Sequence, residues 1–224
     1  MAILFRAGGF AALCGVLLGL AAPAHASNDP AMDAQVARIG NEWARIKYRV
    51  PDKSQQYRQL DALAKQAAAV VAHFPGRAEP LLWQGIVTSE EAAVASMFSQ
   101  LGLATSARDI LQKAATIDPK AGNGGVSMSL GVLYYKVPGF PIGFGSAKKA
   151  REYLRTALAV DPGGLDANYF YGDYLIAQGD YVHAKSYLVK ALQAPADPTR
   201  PVWDSGRRAD IRALIAKVDK QQRS

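Results

Sequence analysis

The sequence is poor in cysteine and histidine. Its 224 residues include one cysteine, Cys14, which lies in an apolar N-terminal segment. Residues 27–224 therefore cannot form a disulfide among themselves, and packing alone must hold their fold. No cysteine or HExxH motif accompanies the two later histidines, His73 and His183, so we predict no metal site and no other cofactor.

Catalytic motifs are absent as well. Glu90 and Glu91 are the only adjacent carboxylates, and adjacent residues on a helix point about 100° apart, so they do not form a catalytic dyad by themselves. The segment Gly143–Ser146 lacks the further glycine of a nucleotide loop and the spacing of a nucleophile elbow. We therefore predict that the protein is not an enzyme.

Long apolar runs are restricted to the N-terminus. Arg6 precedes the run Phe10–Ala22, and Ala24-His25-Ala26 follows it, as in a secretory signal peptide. The run is short for a membrane span, and the three residues before Cys14 match a lipoprotein box poorly. We expect residues 1–26 to be cleaved near Ala26/Ser27 without lipid attachment. The protein would then be periplasmic or secreted, with no integral membrane segment left.

Positive charge is spread along the chain. The formal net charge is +7, and the densest basic pairs are Lys148-Lys149 and Arg207-Arg208. Neither pair has the interleaved aromatic residues of a nucleic-acid module. This pattern favours a solvated helical surface and no nucleic-acid partner, and it leaves open a weak attraction to acidic partners or anionic lipid.

A spaced motif recurs along the chain. The pattern Ala-x3-Leu-x2-Ala-x4-Pro occurs at residues 107–119 and 150–162, and a third copy at 184–195 has its proline one residue early. A degenerate copy lies at 63–75. Small residues one turn from larger ones let two helices approach closely, and proline ends the second helix. Such units cannot bury their apolar faces alone, so their recurrence predicts stacked helical hairpins.

The last hairpin has the clearest pattern. Asn168, Tyr171, Gly172 and Leu175 fall on its first helix, and Asp180 is placed to cap the second after a Gln-Gly turn. Together with the recurring motif, this hairpin resembles the tetratricopeptide repeat (TPR), although Asn168 and two leucines replace usual aromatic or large residues. The resemblance covers about residues 33–198.

Insertions lengthen the other three units. Val50-Pro51-Asp52 should end the first helix of unit one, and 54–74 should form its second helix. In unit two we predict a long first helix broken near Gly102, followed by a cap at Thr105 or Ser106. In unit three, Val137–Gly145 should be an apolar loop.

The predicted fold is an all-α solenoid of four TPR-like hairpins with a C-terminal capping helix. Residues 27–198 would form the repeat domain, and 199–224 a linker and the cap. The cap, Trp203–Gln222, carries apolar residues on one face: Ile211, Leu214, Ile215 and Val218.

The TPR resemblance implies that the first helices line a concave groove that binds a protein or peptide partner. We expect Arg45, Glu90, Lys136, Tyr169 and Asp173 to face one shared groove. The alternative is that several candidate residues pack on neighbouring helices. The positions that match the family's ligand-contacting places are Asn41, Arg45, Ser89, Glu90, Met128, Tyr135, Lys136, Tyr169, Asp173 and Ile176.

Aromatic residues add two further hypotheses. Tyr171 and Tyr174 have interior spacing, which favours core packing over a ligand cage. The Val137–Gly145 loop carries Phe140 and Phe144, which should cover a gap in the core, line the groove or contact another subunit. We count both phenylalanines as candidate partner-binding residues.

These patterns predict an exported, non-catalytic scaffold that binds a protein or peptide segment, with its oligomeric state left open. Elongated repeats in an exported protein are also similar to the T-component of TRAP transporter systems. That similarity implies an alternative: an accessory protein of a transport system that binds a small apolar ligand or a substrate-binding protein. A cell-envelope enzyme without a recognisable motif is a third class.

Overall fold

The computed structural model describes residues 29–223, so the predicted signal peptide at 1–26 lies outside the described residues. The described chain contains nine α-helices joined by short connections. Their bounds are α1 Pro30–Arg49, α2 Lys53–His73, α3 Ala78–Val94, α4 Met97–Ile117, α5 Ala121–Lys136, α6 Ala147–Val160, α7 Leu165–Ala177, α8 Tyr181–Leu192 and α9 Pro201–Gln221.

Consecutive helices pack as four hairpins: α1 with α2, α3 with α4, α5 with α6, and α7 with α8. The first helices of neighbouring hairpins also contact one another, from α1 to α3, α3 to α5 and α5 to α7. This stacking of helix pairs is the arrangement of an α-solenoid. The predicted all-α solenoid of four hairpins and a C-terminal helix is confirmed.

Glycines on the first helices allow each hairpin to close. A Cβ atom at Gly172 would lie 2.9 Å from the Leu188 Cγ, and one at Gly131 would lie 2.7 Å from the Leu154 Cγ. Leu154 and Leu188 are the central residues of the recurring motif, and both are fully buried. The motif leucine therefore marks the position at which the two helices of one unit approach each other closely.

Aspartates cap several of the helices. The Asp52 carboxylate accepts a hydrogen bond from the Gln55 amide at the start of α2, and Asp180 accepts one from the His183 amide at the start of α8. Gly179, with φ of +79°, makes the turn before Asp180. These contacts satisfy amides that have no partner within the helix, as predicted for Asp180.

The break in the second hairpin is not where the sequence predicted it. The break falls at Ala95–Ser96, and Gly102, Thr105 and Ser106 all lie inside α4. Ala104 and the residues around it pack into a core cluster. The buried residues Ala104 and Ala107 follow Gly102 on the same helix, and one helical glycine costs only about 1 kcal/mol, so α4 continues through it and the predicted cap at Thr105 or Ser106 is wrong.

The segment 137–145 is a loop, as predicted. The Gly145 amide donates to the Pro138 carbonyl at 2.9 Å, and the Ser146 amide donates to the Tyr134 carbonyl at 2.7 Å. The first bond joins the two ends of the loop to each other, and the second ties them to the last turn of α5. The loop therefore projects from the hairpin with its base fixed.

Helix α9 joins the last hairpin to the first. It contacts α7 and α8, as a cap should, and it also packs on α1. Trp203 and Ile211 of α9 are buried in one cluster with Trp43 of α1 and Leu188 of α8. The helices α1, α3, α5, α7 and α9 thus surround one inner face, a closure that the sequence did not predict.

Candidate functional site

Polar side chains from all five of these helices meet at the inner face. Three groups of contacts occur on this face. The residues involved are Lys47, Tyr48, Glu90, Tyr135, Lys136, Asp166, Tyr169, Asp173, Arg207 and Asp210.

The first contact links α1 to α3. The Lys47 ammonium lies 2.6 Å from a Glu90 carboxylate oxygen, and both side chains keep about a fifth to a quarter of their surface exposed, at 24% and 21%. The same ammonium lies 5.9 Å from the ring centres of Trp43 and Tyr48. The pair is therefore held in place and still reachable from solvent.

The second contact links α5 to α7. The Tyr135 hydroxyl donates to Asp173 at 2.7 Å, and the Lys136 ammonium lies 2.6 Å from the same carboxylate oxygen. Burial raises the pKa of Tyr135 well above its ordinary value, and the Asp173 charge raises it further. Tyr135 therefore remains a protonated donor over the physiological pH range.

The third contact links α9 to α7. The Arg207 guanidinium, 3% exposed, donates to Asp166 at 2.7 Å and to Asp210 at 3.4 Å. It also lies 4.4 Å from the ring centre of Tyr169. Burial lowers the pKa of Arg207, but Asp166 and the other acidic groups around it raise it by more. For the Tyr169 hydroxyl, in contrast, burial raises the pKa, to about 12.

A pocket of about 430 Å³ opens on this face of the solenoid. Its wall combines cations, carboxylates and tyrosine rings from α1, α2, α3, α7 and α9. We call it the inner-face pocket. It is lined by Lys47, Tyr48, Lys53, Gln56, Glu90, Tyr169, Asp210, Ala213 and Leu214.

Two residues selected from the sequence line this pocket, namely Glu90 and Tyr169. Tyr135, Lys136 and Asp173 lie beside it. Asp173 pairs with Lys136, and its charge raises the pKa of both Tyr135 and Tyr169. The structure therefore brings these five predicted residues to one face.

Other selected residues lie elsewhere. Arg45 is not part of the pocket wall: its guanidinium bonds to Glu42 of its own helix and to Gln59 of α2. The expectation that Arg45 faces the shared groove is thus wrong. Lys47, two positions later and about 200° around the helix, occupies that place instead.

The remaining candidates make local or core contacts. Asn41 is exposed on α1, and the Ser89 hydroxyl donates to the Ile86 carbonyl of its own helix. Met128 and Ile176 are half-buried against core clusters. The placements of Met128 and Ile176 fit the alternative in which part of the set packs on neighbouring helices.

The loop phenylalanines differ from each other. Phe144 packs against the edge of the Tyr134 ring, with ring centres 5.7 Å apart, and the Arg108 guanidinium lies 4.5 Å from its ring centre. It covers the core, as one of the hypotheses proposed. Phe140 is 94% exposed and Ile142 is 70% exposed, so neither covers the core nor lines the inner-face pocket.

Seven residues of the pocket wall were not selected from the sequence as binding residues, and two of them are Ala213 and Leu214 of α9. Lys47 and Tyr48 lie on α1 at places that the repeat pattern does not assign to ligands, and Lys53 and Gln56 begin α2. Asp210 lies on α9, outside the repeats. A pattern that assigns ligand contacts to fixed places on the first helices gives no signal for other places on α1 or for residues on α2 and α9.

The described chain offers neither a metal site nor a membrane span. Among residues 29–223, no group of three or more His, Cys, Asp or Glu could hold a metal ion. Over the same residues, every helix is too short or too polar to cross a membrane.

Comparisons with known proteins identify the repeat. A family model for the tetratricopeptide repeat matches residues 165–198, and no protein of curated function matches the chain. TTC0263, a thermophilic TPR protein of Thermus thermophilus, has a similar structure: 16% identity, 84% of this chain and 90% of that chain covered, and a TM-score of 0.55. The pilF protein of Pseudomonas aeruginosa, also at 16% identity, covers 86% of this chain and 90% of its own with a TM-score of 0.34. The α7–α8 hairpin is therefore a tetratricopeptide repeat, and residues 29–223 form an all-α solenoid with the tetratricopeptide-repeat fold.

Proposed function

We propose that this protein is a non-catalytic scaffold whose inner-face pocket binds a segment of another protein. The tetratricopeptide-repeat fold is typical of protein-interaction scaffolds. The observation that carries the proposal is the convergence of Lys47, Glu90, Tyr169 and Asp210, from four different helices, on one pocket open to solvent. Binding sites on repeat solenoids form on surfaces to which several units contribute.

The pocket wall indicates the chemistry of the bound segment. Lys47 and Lys53 supply positive charge, Glu90 and Asp210 supply negative charge, and Tyr169 supplies a flat apolar surface. A volume of about 430 Å³ lies in the lower part of the range for ligand pockets, which suits a few side chains of a protein segment. Charges of both signs in the wall disfavour a small apolar ligand, so that form of the transport-accessory alternative is not carried forward; a substrate-binding protein stays within the class of protein partners proposed.

We further propose that the scaffold acts outside the cytoplasm. The support is the N-terminal sequence: a charged start, the apolar run Phe10–Ala22 and the Ala24-His25-Ala26 site. N-terminal sequencing of protein from the cell-envelope fraction tests this. A mature end near Ser27 supports export, whereas a retained Met1 or a lipid on Cys14 overturns it.

A crosslinking experiment tests the binding site. A photo-reactive amino acid at position 53, on the exposed start of α2, should capture the partner in intact cells. Binding of the identified partner should then weaken at least tenfold in Lys53→Gln and Glu90→Gln, since each change removes a charge from the pocket wall.

The matched control is Arg45→Gln. It removes an equal charge from α1, but the Arg45 side chain points to α2 and not to the pocket. Unchanged affinity for Arg45→Gln, together with loss in the two pocket variants, supports the proposal. Equal affinity for all three variants and the native protein would exclude this pocket as the binding site.

A further inference from the structure

Two hairpin turns of the solenoid carry large apolar side chains in solvent. The turn between α3 and α4 presents Met97 and Phe98, which are 80% and 95% exposed. The loop between α5 and α6 presents Phe140 and Ile142, at 94% and 70%. With the partly exposed Leu101, these residues form what we call the apolar edge. Such exposure of large apolar residues in one region marks an interaction surface.

The two turns form one continuous surface. They belong to neighbouring hairpins, so both lie at the same edge of the solenoid. A side chain at Gly143 would come within 3.3 Å of the Leu101 Cδ1, which places the loop directly on α4. Leu101 is one helical turn from Phe98, and Ile142 is next to Gly143 in the loop. The apolar side chains of α4 and of the loop therefore lie next to each other where the two segments meet.

The charge pattern shows what kind of partner this edge fits. No charged residue lies between Glu91 and Arg108, or between Lys136 and Lys148. Three of these four bordering residues are cations, and Lys149 adds another.

The cations lie against the rings at the base of the loop. The Lys149 ammonium is 5.2 Å from the centre of the Tyr134 ring, and the Arg108 guanidinium is 4.5 Å from that of Phe144. Asp109 neutralises Arg108 at 2.7 Å, and Asp173 pairs with Lys136. Lys148 and Lys149, both exposed at the start of α6, are therefore the principal positive charges beside the apolar edge.

We propose that the apolar edge binds the surface of an anionic lipid bilayer. Phe98 and Phe140 enter the interfacial region of the bilayer, while Lys148 and Lys149 meet lipid phosphates. Apolar and aromatic residues with adjacent cations are the combination by which proteins bind to anionic membrane surfaces. This function is additional to segment binding at the inner-face pocket and uses none of the residues that line it.

Lipid fits this edge better than a second protein does. Phe98 and Phe140 are almost completely exposed, so their rings project into solvent with little support from neighbouring side chains. A fluid bilayer accepts projecting side chains without a complementary shape. Two copies that met through their apolar edges would each carry Lys148 and Lys149 beside the contact, and like charges near an interface oppose association.

A label at position 98 tests the proposal on the full chain. Phe98→Cys, made with Cys14→Ser so that it carries the single cysteine, is labelled with nitrobenzoxadiazole. Vesicles of phosphatidylglycerol and phosphatidylcholine should shift its emission to the blue, and vesicles of phosphatidylcholine alone should do so much less. The same label on Val182→Cys, an exposed apolar position on α8, should not shift. Because the label reports its own surroundings, lipid binding by residues 1–26 does not imitate the result.

Two sets of changes separate the roles of the residues. Adding Phe140→Ser should raise the lipid concentration for half-maximal shift at least tenfold. Lys148→Gln with Lys149→Gln should remove the difference between the two lipid mixtures. Val182→Ser with Val189→Ser, which removes exposed apolar surface elsewhere, should change nothing. Circular dichroism checks that each variant keeps its helices.

Three outcomes overturn the proposal. One is a label at position 98 that does not respond to phosphatidylglycerol vesicles. Another is a response that Phe140→Ser leaves unchanged. The third is a blue shift that appears without vesicles and grows with protein concentration, because it identifies the apolar edge as a contact between copies of the chain.

Discussion

The Tyr48 hydroxyl on α1 donates a hydrogen bond of 3.0 Å to the Asp210 carboxylate on α9, 162 positions later in the chain. Trp43 of α1 also belongs to the same core cluster as Trp203 and Ile211 of α9, and Tyr48 packs against that cluster. Together these contacts join the first hairpin to the C-terminal helix. The cap therefore also supplies part of the inner-face pocket, so the stability of the fold and the shape of the site depend on the same contact.

Substitution of Gly206 tests the contact between α1 and α9. A Cβ atom at this position would lie 2.5 Å from the Tyr48 ring, so Gly206→Leu must displace α9 or the ring. We expect the free energy of unfolding, measured by urea denaturation, to fall by about 1–3 kcal/mol.

The control for this change is Ser205→Leu at the neighbouring, exposed position of α9. It adds the same side chain outside the contact and should alter stability by no more than about 0.5 kcal/mol. Equal stability of Gly206→Leu and the native protein would mean that α9 does not pack on α1 in solution.

Removal of one partner from the buried ion pair should be costly. Asp166→Asn leaves the Arg207 guanidinium, 3% exposed, with only the more distant Asp210 carboxylate at 3.4 Å. Breaking a buried pair in this way costs about 3–5 kcal/mol, and we expect the lower end because Asp210 remains.

The same pair gives a second, opposite expectation. Replacing Asp166 by Asn and Arg207 by Met together should recover part of the loss, because no uncompensated charge is then buried. Thermal and urea unfolding of the three variants measure this. A double variant less stable than Asp166→Asn would show that the guanidinium packing on the Tyr169 ring matters more than its charge.

Much of the fold could be predicted because one physical constraint recurs. Each close approach requires a small residue opposite a motif leucine, as with Gly172 and Leu188 or Gly131 and Leu154. Such pairs are local in sequence and keep their spacing, so the hairpins are visible without a structure. The break at Ala95–Ser96 was missed because it has no proline or glycine, while Gly102 suggested a break that packing overrides.

The candidate site was predicted only in part. Glu90 and Tyr169 could be selected because they occupy repeat positions that face inward. Asp210 could not, because it reaches the pocket only through docking of α9 on α1. The apolar face of α9 was predicted. The α9 residues that contact Tyr48, however, are Gly206 and Asp210, and neither contributes to a hydrophobic periodicity.

The correction at Gly102 leads to a stabilising variant. Gly102 lies inside α4, and in the described part of the chain no heavy atom would come within 4 Å of a Cβ added there. Gly102→Ala should therefore raise the free energy of unfolding by about 0.5–1 kcal/mol, since alanine loses less conformational freedom in a helix. Urea denaturation checks this, and a fall in stability would restore a break at Gly102.

A matched glycine should respond in the opposite direction. Gly172→Ala adds the same methyl group at a position where it would lie 2.9 Å from the Leu188 Cγ and 3.2 Å from the Ala184 carbonyl oxygen. Because backbone forms part of that contact, α7 and α8 must move apart. We expect Gly172→Leu to cost about 1–3 kcal/mol or more and Gly172→Ala to cost less. Stabilisation by Gly172→Ala would contradict the close packing of this hairpin.

Glu91 gives a prediction for pH. Its side chain is buried on α3, and burial raises the pKa of its carboxyl group; the Asp61 charge raises it further, while Lys65 acts in the opposite direction. At neutral pH the folded state therefore holds a carboxylate in an unfavourable place. Glu91→Gln removes that charge and should increase the free energy of unfolding at pH 7.

The advantage of the Gln variant should disappear as the pH falls. Since the pKa of Glu91 is higher in the folded state, the folded protein binds the proton first, and its stability relative to the variant rises as the pH falls through that raised pKa toward the ordinary value. Urea denaturation of both proteins between pH 7 and pH 4 measures the difference, in which the shared effects of Asp52, Asp180 and Asp197 cancel. If the difference in the free energy of unfolding stays constant over this range, the pKa of Glu91 does not change on folding. If the advantage of the Gln variant grows as the pH falls, the Glu91 carboxylate is stabilised by a partner in the folded state.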